Sequence, residues 1–251
     1  MPRRQLTDDV TWVYGAHDTG DGRAVHTSMH LVEGEEGYLL INSGDHDVRE
    51  AFLDQIRAVV GDRGVGTIFA QESHIPNSAN VSAFREEYDA DVIFPGGASP
   101  IHGLPEVIQW PQYGTESLYG RTFDLTRGSL LDLPHTTWIF DRSSGVLFPL
   151  EGFCYYHDPA ETGALSSELA DGIRYEDVHD FYEDMLLWLK YADPRKVIED
   201  LRGIVDDFDP EIIAPAHGNP IVREDVPTYV DHIERAVTEI ADSYEFKAST
   251  A

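Results

Sequence analysis

Two residues with metal-donor side chains, Glu72 and His74, stand two apart in the stretch Thr67-Ile-Phe-Ala-Gln-Glu-Ser-His-Ile-Pro-Asn-Ser-Ala-Asn80. Thr67 to Ala70 reads as a short buried strand, and Ser78 opens a helical pattern through Val81, Phe84 and Tyr88. Donors at i and i+2 just past a strand leave a rigid edge side by side and can converge on one metal ion. The same two side chains also make sense as an ion pair at a sheet edge.

Such donors need a sheet edge beneath them, and the chain supplies the parts. Val10 to Tyr14 reads as a first strand. Met29 to Val32 and Tyr38 to Ile41 flank Glu33-Gly-Glu-Glu-Gly37 as a hairpin. An amphipathic helix with Val48, Phe52, Ile56 and Val59 on one face follows. After the Thr67 stretch come a strand at Val92 to Phe94 and a long loop over the site from Pro95 to Gly114, holding His102. Thr136 to Asp141 and Val146 to Leu150 form a hairpin that leads to Glu151. Residues 156–173 read as another loop. Val178, Phe181, Met185, Leu186 and Leu189 make a helical stripe, and Asp193-Pro194 caps a helix carrying Val197, Leu201 and Ile204. Glu211 to Ala214 is a strand ending at Pro215-Ala-His217-Gly218, and a last helix carries Tyr229, Val230, Ile233, Val237 and Ile240. No repeat, low-complexity segment or linker interrupts the order, so one α/β sandwich over residues 1–251 is expected.

The 251 residues are 41% hydrophobic, enough for a core of ordinary domain size. No run of apolar residues reaches membrane-spanning length and no signal-peptide pattern opens the chain, so a cytoplasmic protein is expected. The 46 acidic residues against 18 basic ones leave a net charge of −28. Such a surface repels nucleic acid and anionic membranes. The acids are interleaved with apolar stripes, which indicates an acidic folded surface of the halophile type rather than a disordered tail. The single cysteine, Cys154, lies among aromatic residues and reads as a buried, inert thiol.

At the Thr67 stretch the chain resembles the metallo-β-lactamase fold, whose usual motif is His-x-His-x-Asp-His. The flavodiiron and oxygen-binding di-iron branch has His-x-Glu-x-Asp-His. In register, this sequence has Glu72-x-His74-x-Pro76-Asn77. Tyr38-Leu-Leu-Ile-Asn-Ser-Gly-Asp45 resembles the family's early strand and Asp-Thr-Gly turn, with Asn42 where Asp is usual. Pro215-Ala-His-Gly-Asn-Pro220 resembles the closing Pro-x-His-Gly motif, which makes His217 the last ligand. Val146 to Phe153 resembles the segment ending in the bridging aspartate, with Glu151 in its place. Counting back from Glu151 by the family's spacing puts the remaining ligand on Asp132, and His135 competes with it. The resemblance covers roughly residues 25 to 225 and implies an αββα sandwich with metal at one edge of the sheets. Glu151-Gly-Phe153 with His157 soon after, and the tyrosine-rich helix from Phe181, resemble the flavodiiron branch. Flavodiiron proteins continue into a flavodoxin domain, and this sequence ends without one, so no FMN is expected in it.

The implied shell is Glu72, His74, Asp132, Glu151 and His217. Without a thiolate it suits non-haem iron or manganese, and zinc also fits. Pro76 cannot ligate and Asn77 is a weak donor, so a second metal would have only Glu151 and His217; one metal per chain is expected. Each residue keeps a plainer reading as well: Asp132 as a turn cap before Pro134, Glu151 as a solvated turn residue, His217 as a loop hydrogen-bonder. The resemblance implies a protein that binds or reduces O2 or NO, with a separate redox or signalling partner and a homodimeric state. A metal-dependent hydrolase of esters, lactones or phosphodiesters and a metal-free binding scaffold are the alternatives.

Overall fold

The first strands run well past the apolar segments that announce them. In the computed structural model, which describes residues 2–96 and 106–243, β1 (Arg3–Gln5) pairs with β2 (Val10–Asp18), and β2 pairs antiparallel with β3 (Ala24–Glu33) from Val10↔Val32 to Asp18↔Ala24. His26, Thr27, Ser28 and His30 look like surface residues in sequence but are buried. That is why alternation of apolar residues understates β3. β4 (Tyr38–Ile41), β5 (Val65–Phe69), β6 (Asp91–Pro95) and β7 (Ile108–Trp110) complete a seven-stranded sheet in sequential order, parallel from β4 onward. Helices α1 (Arg49–Val60) and α3 (Val81–Tyr88) cover its outer face, and the four-residue α2 (Ile75–Ser78) precedes α3.

The second sheet has the order β13-β12-β11-β10-β9-β8. β8 (Gly114–Leu118), β9 (Arg121–Thr126), β10 (Trp138–Asp141) and β11 (Val146–Phe148) form an antiparallel meander. β12 (Ile212–Ile213) joins β11 in parallel, and β13 (Ile221–Val222) pairs with β12. α4 (Tyr175–Met185), α5 (Pro194–Phe208) and α6 (Val226–Ser243) cover this sheet. Asp193 caps α5 by accepting from the Arg195 amide, as its place before Pro194 foretells.

Three apolar layers hold the sandwich together. Met29, Leu31, Phe52, Ile56 and Phe84 pack between the first sheet and its helices. Val32, Ile41, Phe69, Phe123 and Phe148 fill the space between the sheets. Leu147, Ile213, Phe181, Leu201 and Ile233 join the second sheet to α4, α5 and α6. The result is the expected αββα order. The long loop expected from Pro95 to Gly114 contains strand β7, and His102 lies outside the described residues. Among the described residues no helix is long and apolar enough to cross a membrane.

Candidate metal centre

Parallel pairing decides which loops meet. β4 and β5 point the same way, so Asn42 and Glu72 leave one end of the first sheet. β11 and β12 are likewise parallel, so the segments holding Glu151 and His217 leave one end of the second. Gln71 ties the two ends together. Its side-chain amide donates to the Thr137 and Phe148 carbonyls at 2.8 Å each, while its side-chain oxygen accepts from Asn42 Nδ2 at 2.9 Å. Asn42, standing where the resembled family has an aspartate, thus serves the framework.

Four of the five expected ligands come together: Glu72, His74, Asp132 and Glu151 each bring a donor atom within 4.8 Å of the others. Glu72 and Glu151 are fully buried, whereas the side chains of His74 and Asp132 are 40% and 29% exposed. His74 Nδ1 lies 3.0 Å from Asp132 Oδ2 and 3.7 Å from Glu72 Oε1. That nitrogen is buried and, apart from this pairing with Asp132, makes no hydrogen bond, so the donors gather around a common space. Glu151 Oε2 is also buried and without a partner. Burial together with the facing Glu72 and Asp132 carboxylates pushes the Glu151 carboxyl well above its usual range, and burial raises Glu72 too. A cation in this space would relieve both costs, which is how a buried carboxylate cluster fits a metal.

Asn77 and Thr136 orient the carboxylates. Asn77 Nδ2 donates to Glu72 Oε1 at 3.1 Å and to Glu151 Oε1 at 2.8 Å, and Thr136 Oγ1 donates to Glu72 Oε2 at 2.7 Å. The sequence register flags Asn77 as a weak ligand; its actual partners are the ligands themselves. Glu151 sits between two residues in the left-handed region, Leu150 (φ 54°) and Phe153 (φ 65°), a strained turn of the kind that collects at functional sites. The Phe153 amide donates to Tyr182 Oη at 2.8 Å and the Ala216 amide to the Leu150 carbonyl at 2.9 Å, which pins that turn.

Asp132, not His135, joins the cluster. The His135 ring instead lies 3.0 Å from Ser73 Oγ. His217 stands outside the four-residue group. It is buried, and its Nδ1 donates to the His26 carbonyl at 2.5 Å. It borders a cavity of about 300 Å³ that His74, Pro76, His26, Asp45 and Phe181 also line. His157, which the resemblance associates with the site, faces His26 at 3.0 Å rather than the carboxylates. The motif frame does not point to His26; its alternation with Ser28 and His30 along β3, three buried polar residues on one face, is the signal that marks it.

The sequence matches no described protein family and no curated protein. The fold matches many solved structures. A mutant of the flavo di-iron protein from Thermotoga maritima has a TM-score of 0.79 at 14% identity, over 94% of this chain and 62% of its own. Rubredoxin oxygen:oxidoreductase from Desulfovibrio gigas has 0.79 at 16%, over 94% and 61%. A metallo-β-lactamase from Pontibacter korlensis has 0.65 at 13%, over 94% and 98%. The chain therefore has the metallo-β-lactamase fold, and it spans about 60% of the flavodiiron proteins it resembles.

Proposed function

We propose that this chain is a non-haem iron protein holding one metal ion, which binds or reduces O2 or NO as a sensor or reductase. The observation that carries the reading is Glu151 Oε2: buried, unpartnered, and within reach of donors from Glu72, His74 and Asp132. Three carboxylates and one imidazole make an oxygen-rich shell suited to iron or manganese. Iron bound there would supply open coordination positions for a small ligand. The chain's own part is to hold geometry: Asn77 and Thr136 fix the two buried carboxylates, and Gln71 locks the loops that carry them. Pro76 and the amide of Asn77 leave the second position to His217, so one ion per chain belongs to the reading. Electrons from a separate partner protein, a homodimer and a cytoplasmic setting belong to it as well. Sedimentation at several concentrations tests the dimer.

A metal-dependent hydrolase is the second reading. The cavity of about 300 Å³ favours it, because that volume suits an organic molecule better than a diatomic one. Metal analysis of protein purified without oxygen separates the two. Iron, with a visible absorption change on admitting air or NO, supports the first. Zinc together with esterase activity supports the second. A folded chain that takes up no metal would reduce the sandwich to a binding scaffold.

A further inference from the structure

The cavity beside the metal cluster presents hydrogen-bond acceptors, and a guanidinium against its wall, Arg23 over the Tyr156 ring at 4.3 Å, is already paired with Asp21 and Asp180. Asp45 and Asp47 line it, and among the described residues no lysine or arginine does. Two of its imidazoles are held as acceptors by their neighbours. His157 Nδ1 donates to the Asp158 carbonyl at 2.8 Å, so its Nε2 must accept. His26 Nδ1, 3.0 Å away, is then the donor, which leaves His26 Nε2 without a proton. That nitrogen is fully buried and has no hydrogen-bond partner. His217 donates through Nδ1 to the His26 carbonyl, so its Nε2 also carries a lone pair. Tyr156, Phe181 and Met185 give the same cavity an apolar and aromatic wall.

We infer that the cavity binds a small organic cation, an ammonium group with an apolar body, and rejects anions. The ammonium suits Asp45, Asp47 and the bare His217 nitrogen, and the apolar body suits the Tyr156, Phe181 and Met185 wall. A divalent ion on Glu72, His74, Asp132 and Glu151 would leave that cluster with net charge of about −1, so a phosphodiester or carboxylate would meet repulsion from cluster and rim alike. The inference deepens the single-metal reading and rests on it, because a second metal on His217 would consume one of the acceptors. At about 300 Å³ the cavity lies at the small end of organic-ligand sites.

The test is titration calorimetry on the metal-loaded full chain at pH 7 and fixed salt. The probes are benzylammonium, benzyl alcohol and benzoate, three bodies of similar size and different charge. Metal content is measured on the same sample. Benzylammonium should bind about tenfold more tightly than benzyl alcohol, with benzoate failing to bind. Asp45→Asn combined with Asp47→Asn should bring the cation down to the level of the alcohol; the asparagine at 45 keeps the oxygen that accepts from the His46 amide. Met185→Ala should weaken cation and alcohol alike. Benzoate binding as well as benzylammonium, cation binding unmoved by the Asp45/Asp47 change, or no binding of any probe would each overturn the inference. So would a second equivalent of Zn2+ that displaces benzylammonium. A metal-free sample that still selects the cation would overturn the proposed function alone, and a loaded sample that binds no probe would overturn only the cavity assignment.

Discussion

The amide of Asn77 reaches both buried glutamates of the cluster, and this one side chain explains much of how the site is held. Replacing it by alanine removes a donor from Glu72 and from Glu151 while leaving every proposed ligand in place. Asn77→Ala should weaken metal affinity about 10- to 100-fold, whereas Glu151→Ala should abolish binding; titration against a chelating indicator measures both. Neither the role of Asn77 nor that of Thr136 could be read from the sequence, because Asn77 must reach Glu151, 74 positions on, as well as nearby Glu72, and Thr136 reaches back 64 positions to Glu72. Glu72, His74, Asp132 and Glu151 were legible through the motif frame. The frame put Asp132 ahead of its competitor His135, and Asp132 is the one that the irregular loop carries into the cluster. His30 gives a separate prediction. Both ring nitrogens are buried without partners, and burial lowers its pKa to about 3. Its folded pKa lies below the unfolded value near 6.5, so the unfolded state binds more protons in between. Its effect on stability therefore worsens as pH falls from about 6.5 towards 3, by up to about 1.4 kcal/mol per pH unit. His30→Leu should flatten that slope in denaturant melts and stabilise the protein by about 1–3 kcal/mol.

Among the elements, the turn after β11 depends on a close approach. A Cβ added at Gly152 would lie 2.1 Å from the Trp138 ring, and one at Gly128 would lie 1.9 Å from the same ring. The indole is thus clamped between two glycines, one of them adjacent to Glu151. Gly152→Ala should cost about 1–3 kcal/mol in chemical denaturation and weaken metal binding with it, because the turn must shift to admit the methyl group. An unchanged metal affinity would show that Glu151 is positioned independently of Trp138. The helices were the most legible elements: α1, α4, α5 and α6 each announce a continuous apolar face. β7, β8 and β9 were not. β8 is a polar edge strand, β9 beside it buries only Arg121, Phe123 and Leu125 of its six residues, and β7 is three residues long and embedded in a glycine- and proline-rich segment.

For the whole molecule, alternating strands and helices pointed to one α/β sandwich, and the metallo-β-lactamase resemblance supplied its αββα order and the site at one edge of the sheets. The charge of −28 acts over the entire surface. We expect self-repulsion to be relieved by salt, so raising KCl from about 0.1 M to about 2 M should lift the melting temperature by roughly 5 °C or more. A melting temperature that does not rise with salt would remove the halophile-type reading. The central claim concerns the metal, and inductively coupled plasma mass spectrometry of anaerobically purified protein tests it most directly. One iron per chain is predicted, lost in Glu72→Ala and Glu151→Ala and retained in His217→Ala, whose side chain lies outside the cluster. A folded wild-type chain without metal, or one with two ions of which His217→Ala removes one, would contradict the account.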